Sequence, residues 1–303
     1  MGIGKDSWVR ITIMGCGRVG ASLARALEHN GDQVSVIDLH HEAFRRLGPE
    51  FQGRTIVGAG YDRDVLIKAG IKQADGFAAL SSGDNSNIIA ARVVREEFGV
   101  ANVVARIYDP ARAALYQQLG IPTIAPVRWA AAQAMSHLRP DATPDWKDLA
   151  IPVWPSERQA SARPEGSPMR IAIVGAGNVG RSIARELIEN GHDVLLIEHD
   201  SRAVQSESVP EAEWLLADGC ELDALDEADL GSCDVSVAAT GDDNVNLVHA
   251  LLAKTEFGVP RTVARINYPN NEWLFTDKWG VDVAVSTPRI MTALVEEALV
   301  ATS

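Results

Sequence analysis

The sequence predicts two tandem α/β domains, each a doubly wound parallel sheet covered by helices on both faces. Three observations lead there. The chain has 303 residues, enough for two cores of ordinary size. The stretch Ile11-Thr-Ile-Met-Gly-Cys-Gly-Arg-Val-Gly20 returns as Ile171-Ala-Ile-Val-Gly-Ala-Gly-Asn-Val-Gly180, at an offset of 160 residues. Short runs rich in Val and Ile alternate with helical patterns through both copies.

Taken in order, the apolar runs of the first copy lie at 9–14, 34–37, 54–57, 77–80, 103–107 and 122–125. Each is four to six residues long and rich in Val and Ile, as suits a buried parallel strand. Helices are expected at about 18–30, 40–48, 62–69, 85–98 and 111–119. Strands that alternate with helices in this way build a parallel sheet with crossovers. The echo then continues. Asn30-Gly31 answers Asn190-Gly191, and after a slip to an offset of 159, Ser82-Gly-Asp-Asn85 answers Gly241-Asp-Asp-Asn244. Phe98-Gly-Val answers Phe257-Gly-Val, and Ala105-Arg-Ile answers Ala264-Arg-Ile. A period this long marks duplicated domains, not a solenoid. The second copy is expected to keep the same order from Arg170 to about Val285. Domains over 1–138 and 169–303 are expected to flank a linker over 139–168, where Pro, Ser and polar residues collect and one short strand fits at 149–154.

Composition narrows the function. No apolar run approaches the roughly 20 residues of a membrane-spanning helix, and the first residues lack a secretion signal, so a soluble, cytoplasmic chain is expected. The three cysteines form no CxxC pair, and no histidine stands at metal-ligand spacing; surface histidines and buried cysteine fillers are expected. Net charge is −13, unevenly shared: residues 1–150 hold 17 Lys and Arg against 16 Asp and Glu, residues 151–303 hold 11 against 25. Such an acidic chain lacks the clustered cations of a nucleic-acid binder, and none is expected as a partner.

The glycines carry the chemistry. Gly15, Gly17 and Gly20 follow a strand and open a helix, and Asp38 ends the next strand 18 residues beyond Gly20. In that context the first glycine allows a tight turn, the second lets a pyrophosphate approach the backbone, and the third lets helix and strand pack closely. The helix N-terminus adds free N–H groups and its dipole. Gly175, Gly177, Gly180 and Glu198 repeat the arrangement, so both domains read as Rossmann-like. Asp38 and Glu198 stand where a carboxylate accepts hydrogen bonds from a ribose diol and repels a 2′-phosphate, favouring NAD or an adenine nucleotide over NADP. Arg18 can reach a phosphate from within the first turn, whereas Asn178 holds that place in the second copy, so the two sites should differ. Asp218 stands where the first copy has Ala59, a second difference. Arg106 and Arg265 close the fifth strands at the ligand-binding edge and read equally as ligand contacts or as partners of helix carboxylates. The loops Ser81–Asn85 and Thr240–Asn244 read as helix caps or as cleft lining.

With the glycine turns, the strand-end acids, the Gly58-Ala-Gly60 and Ala217-Asp-Gly219 turns and the Ala-Arg-Ile strands in hand, the sequence resembles the TrkA family, peripheral subunits of bacterial Trk-type potassium uptake systems. Each copy looks like the nucleotide-binding half of a regulator-of-potassium-conductance (RCK) module, and the pair looks like two actinobacterial TrkA-like proteins joined. The resemblance implies NAD(H) or ATP/ADP at Gly15, Gly17, Arg18, Gly20, Asp38 and Arg106, and at Gly175, Gly177, Gly180, Glu198 and Arg265; Asn178 and Asp218 join the candidates as the positions where the second cleft departs from the first. It also implies a Trk-type membrane potassium channel subunit as partner, a place at the inner face of the membrane, and homo-oligomeric assembly. The family usually adds a smaller domain after each nucleotide domain; here only the linker separates the copies. A regulator is therefore expected, with an NAD-dependent oxidoreductase as the alternative. The oxidoreductase would need a substrate domain and a proton donor or acceptor near the nicotinamide, and the fourth-strand loops supply no His, Tyr or Lys.

Overall fold

The computed structural model describes residues 8–126, 168–286 and 288–289. The chain divides into two compact units, Met1–Ile151 and Pro152–Ser303. Apart from Pro168, the expected linker and its strand at 149–154 lie outside the described residues.

Unit 1 runs β1 (Arg10–Met14), α1 (Arg18–His29), β2 (Gln33–Asp38), β3 (Arg54–Val57), α2 (Arg63–Lys68), β4 (Gly76–Ala79), α3 (Asp84–Phe98), β5 (Asn102–Arg106), α4 (Pro110–Gln118) and β6 (Thr123–Ile124). All strand pairs are parallel, in the order β3-β2-β1-β4-β5-β6. The apolar runs become the inner strands because only a sheet covered on both faces buries residues on both sides of its backbone. Ile13, Val36, Ile37 and Ala79 are fully buried there. The order reverses direction between β1 and β4, and at such a switch point the strand ends leave a crevice.

Unit 2 repeats the plan with β7 (Arg170–Val174), α5 (Asn178–Glu189), β8 (Asp193–Glu198), β9 (Glu213–Leu216), α6 (Leu222–Glu227), β10 (Val235–Ala238), α7 (Asp243–Thr255), β11 (Arg261–Ile266) and β12 (Val283–Ser286). Its sheet is again parallel, in the order β9-β8-β7-β10-β11-β12.

The strands match expectation; three of the expected helices do not. The helix expected at 40–48 is a 3-10 turn, His41–Leu47, which Gly48 stops at φ 81. Its counterpart shrinks to Ser206–Ser208, in a Ser- and Val-containing stretch that drives only Val209 fully into the core. Likewise α4 is answered by a 3-10 segment, Pro269–Leu274.

The three cysteines are free and buried, as expected. His40 and His41 are exposed, but His249 departs from the expected surface placement: it is 1% exposed, inside α7. Its Nδ1 lies 2.7 Å from the Gly219 carbonyl, which can only accept, so Nδ1 carries the proton. Nε2, 2.6 Å away, then accepts from the Ser236 hydroxyl. Burial holds this imidazole neutral and pushes its pKa down to about 4. At the matching positions, offset 159, unit 1 has Ala90 and Phe77, both buried. The bulky group sits on the helix in one unit and on the strand in the other.

Candidate functional site

In both units the glycine turn leaves the central strand at the switch point. Gly15 takes φ +98, and its N–H donates to Ile37 O at 2.7 Å. A Cβ there would meet Ser81 N at 2.6 Å, so only glycine lets the turn lie against the end of β4. A Cβ on Gly20 would fall within the Gly15 carbonyl, which is why α1 can start so close to its strand. Gly17 is different: a Cβ there meets nothing within 4 Å. Its open side faces away from the protein, where a ligand phosphate has room to come close. Gly175, Gly177 and Gly180 reproduce all three situations. Neither α1 nor α5 has a side-chain cap or an acid in its first turn, so their leading N–H groups stay available.

The strand-end acids lock these turns. Asp38 accepts from Cys16 N at 2.7 Å and from His40 N at 2.9 Å. Glu198, 6% exposed, accepts from Ala176 N at 2.8 Å and from Asp200 N at 3.0 Å. Glu198 Oε1 also lies 3.0 Å from His199 Nδ1; with about four acceptor sites per carboxylate, Asp38 keeps two and Glu198 at least one for further donors such as a ribose hydroxyl. Burial, and then the Asp38 carboxylate, raise the Cys16 thiol, which stays protonated inside the turn.

The fourth-strand loops are fastened by an asparagine that sequence reasoning overlooked. Asn87, fully buried, accepts from Ser81 N (2.9 Å) and Ser81 Oγ (2.8 Å), and its Nδ2 donates to Ser81 O (2.9 Å) and Arg106 O (2.8 Å). Asn246 does the same with Thr240 N (2.9 Å), Thr240 Oγ1 (2.6 Å), Thr240 O (3.1 Å) and Arg265 O (2.8 Å). The signal was present: Asp-Asn-x-Asn opens both helices, with the second Asn at an interior position that helices disfavour. Asp84 does not cap α3; it accepts from Tyr108 N at 2.9 Å and Asp109 N at 3.1 Å, bracing the next loop. Asp242 does cap α7, through Asn244 N at 2.8 Å.

In unit 2 all the candidate residues except Gly180 line one cleft of about 680 Å³: Gly175, Gly177, Asn178, Glu198, Asp218 and Arg265. Asp218 holds its own turn, accepting from Cys220 N at 2.8 Å. A further residue, missed because its counterpart is Ala21, lies against the glycine turn. Arg181 donates from Nη1 to Ala176 O at 2.5 Å and from Nη2 to Asn178 Oδ1 at 2.9 Å. In unit 1 Arg18 is exposed and makes no side-chain bond among the described residues. Arg106 donates from Nη2 to Ser81 O and lies over the Tyr108 ring at 4.7 Å. The pairing of either fifth-strand arginine with a helix carboxylate, one of the two expected readings, does not occur among the described residues. A hollow of about 650 Å³ at the opposite, amino edge of sheet 1 takes in none of these groups.

The model of the TrkA-N domain matches residues 11–126 and again 171–287. The chain belongs to the TrkA-N domain family. Both TrkA-N matches span the glycine turn, the acid and the Ala-Arg-Ile strand of their unit. The chain is 61% identical over 141 residues to "Trk system potassium uptake protein TrkA" of Streptomyces coelicolor, covering 46% of this chain and 63% of that one. It is 60% identical over 131 residues to the protein of that name from Mycobacterium tuberculosis, covering 43% and 60%. The chain thus spans under two thirds of these relatives. With the Halomonas elongata protein of the same name, identity is 26% over 352 residues, covering 92% of this chain and 76% of that one. Among solved structures, "GsuK bound to ADP" aligns at 18% identity and a TM-score of 0.40 over 99% of this chain and 72% of that one, too loosely to bear on function. No helix among the described residues is long and apolar enough to cross a membrane, and no metal-binding cluster of three or more His, Cys, Asp or Glu occurs among them.

Proposed function

We propose that the chain is a nucleotide-sensing regulatory component of a Trk-type potassium uptake system, built from nucleotide domains over 1–138 and 169–303 and a linker over 139–168. Each domain binds NAD(H) or ATP/ADP with its pyrophosphate on the glycine turn and its ribose on Asp38 or Glu198. The carrying observation is that both units keep an unobstructed second glycine, a free helix N-terminus and a strand-end acid with spare acceptor capacity.

The domains act as sensors and not as catalysts. The polar groups of the fourth-strand loops are engaged in bracing: Asn87 and Asn246 use their full hydrogen-bonding capacity on backbone and hydroxyl partners. Nucleotide exchange shifts a conformational equilibrium through differential affinity for its two states. A membrane potassium channel subunit reads that shift at the cytoplasmic face, with the regulator assembled as a homo-oligomer. The relatives named TrkA support this partner, and the site's geometry supports the ligand.

Calorimetric titration of the full chain with NADH, NAD, ATP and ADP tests the reading, repeated with Gly17→Asp and with Gly177→Asp. Two binding events, each removed by one substitution, are expected. Absence of binding by all four nucleotides would sink the proposal. Co-purification with a Trk-type membrane subunit, altered by the nucleotide present, tests the partner.

A further inference from the structure

The two clefts differ in which arginine the protein itself holds down. In unit 1 Arg18, on the glycine turn, makes no side-chain bond among the described residues, while Arg106, on the fifth strand, is docked on Ser81 O and Tyr108. In unit 2 the turn-side Arg181 is docked on Ala176 O and Asn178. Arg265, on the fifth strand, makes no side-chain hydrogen bond or ion pair among the described residues.

One substitution between the copies accounts for the release of Arg265. The Ser81 carbonyl accepts from Asn87 Nδ2 and from Arg106 Nη2, filling its two lone pairs. The Thr240 carbonyl also accepts twice, but its second donor is Asn267 Nδ2 at 3.0 Å. Asn267 occupies the position of Tyr108, which offers Arg106 a ring face and leaves the carbonyl to it. Arg265 is therefore shut out. It is the one Arg or Lys lining the cleft among the described residues, and its Nε is buried without a partner. Arg106 Nε shares that orphaned state, but its terminal nitrogen is already bonded. The carboxylates that line the cleft make no bond to Arg265 among the described residues: Glu198 meets Ala176 N, Asp200 N and His199 Nδ1, Asp218 meets Cys220 N and Asp242 meets Asn244 N. A buried guanidinium N–H without an acceptor is costly, and an anionic ligand oxygen removes that cost.

We infer that Arg265 grips the anionic part of the ligand in cleft 2, as Arg18 does in cleft 1, so that the two clefts hold ligand charge from opposite walls. The position occupied by Tyr108 or Asn267 selects which wall is used. The inference rests on the nucleotide reading above.

The test is calorimetry on the full chain with ADP and with adenosine, one cleft being blocked at a time by Gly17→Asp or Gly177→Asp. With cleft 2 open, Arg265→Ala lowers ADP affinity about tenfold or more and leaves adenosine within about twofold, the signature of a lost charge-assisted bond. Asn267→Tyr does the same while keeping the arginine, which separates docking from deletion; thermal unfolding reports whether either variant is folded. With cleft 1 open, Arg18→Ala costs about tenfold and Arg106→Ala no more than about twofold. ADP affinity of cleft 2 unchanged by Arg265→Ala, or an Arg106→Ala loss as large as that of Arg265→Ala, overturns the inference while ADP still binds the parent chain. A parent chain that binds neither ADP nor adenosine overturns the nucleotide reading and this inference together.

Discussion

Units 1 and 2 share a sheet order, a glycine turn, a bracing asparagine, a strand-end acid and a fifth-strand arginine, yet differ at four positions around the turn. Arg18 against Asn178, Ala21 against Arg181, Ala59 against Asp218 and Tyr108 against Asn267 are all differences at the mouth of the cleft. The comparison separates two kinds of residue. Those that set backbone geometry are held in both copies, because a turn with φ near +98 or +96 and a helix starting against a carbonyl admit one solution. The polar and charged side chains beside the turn have been exchanged, and the exchange follows hydrogen-bond capacity: when Asn267 fills a carbonyl, an arginine is set free.

Several substitutions break or sharpen that comparison. The largest effect is expected where the units agree most. Gly20→Ala and Gly180→Ala each force a methyl into the carbonyl of the turn and should lower stability by about 3 kcal/mol or more, equally in both units, read by urea unfolding. Asn87→Ala and Asn246→Ala leave buried donors and acceptors unpaired and should cost about 2–4 kcal/mol each. A pH effect should appear in unit 2 alone. The His249 pKa falls from 6.5 in the unfolded chain to about 4 in the fold, so the unfolded state binds the extra proton. Stability is then fully present above about 6.5 and is lost as pH falls toward 4, by about 3 kcal/mol in all. Ser236→Phe/His249→Ala, which installs the unit 1 pair, should flatten that part of the pH profile; an unchanged profile would refute the assignment to His249. The smallest effect on stability is expected at Gly17→Asp and Gly177→Asp, about 0.5 kcal/mol or less, because the added side chain points into open space. Both should nevertheless abolish nucleotide binding at their own cleft, which separates folding glycines from ligand-facing ones.

Much of this was legible in the sequence, for reasons that are local. Gly15, Gly20 and Asp38 act through a turn and the strand beside it, so their spacing carries their roles. The strands were legible because burial on both faces demands continuous apolar runs. The short segments after β2 and β8 were not, since seven or fewer residues leave helix nucleation to tertiary context. Arg106 and Arg265 look alike in sequence; their different fates depend on Tyr108 and Asn267, two residues further on, competing for a carbonyl about 25 residues away. Arg181 gave no signal, because it answers an alanine. His249 looked like a surface residue, since its partners Ser236 and Gly219 lie 13 and 30 residues away.

The exchange of bulk between strand and helix has a consequence for how the two halves could have diverged. Phe77 and Ala90 in one unit, Ser236 and His249 in the other, form matched sets only as pairs. A recombination between the duplicated halves that falls within the 13 residues separating those positions joins Phe to His or Ser to Ala. The first hybrid is overfilled and strips the imidazole of its hydroxyl partner; the second leaves a void and an unpaired Gly219 carbonyl. Either crossover should yield a poorly folding chain, so this short segment should act as a barrier to homogenisation and let the two units keep separate histories.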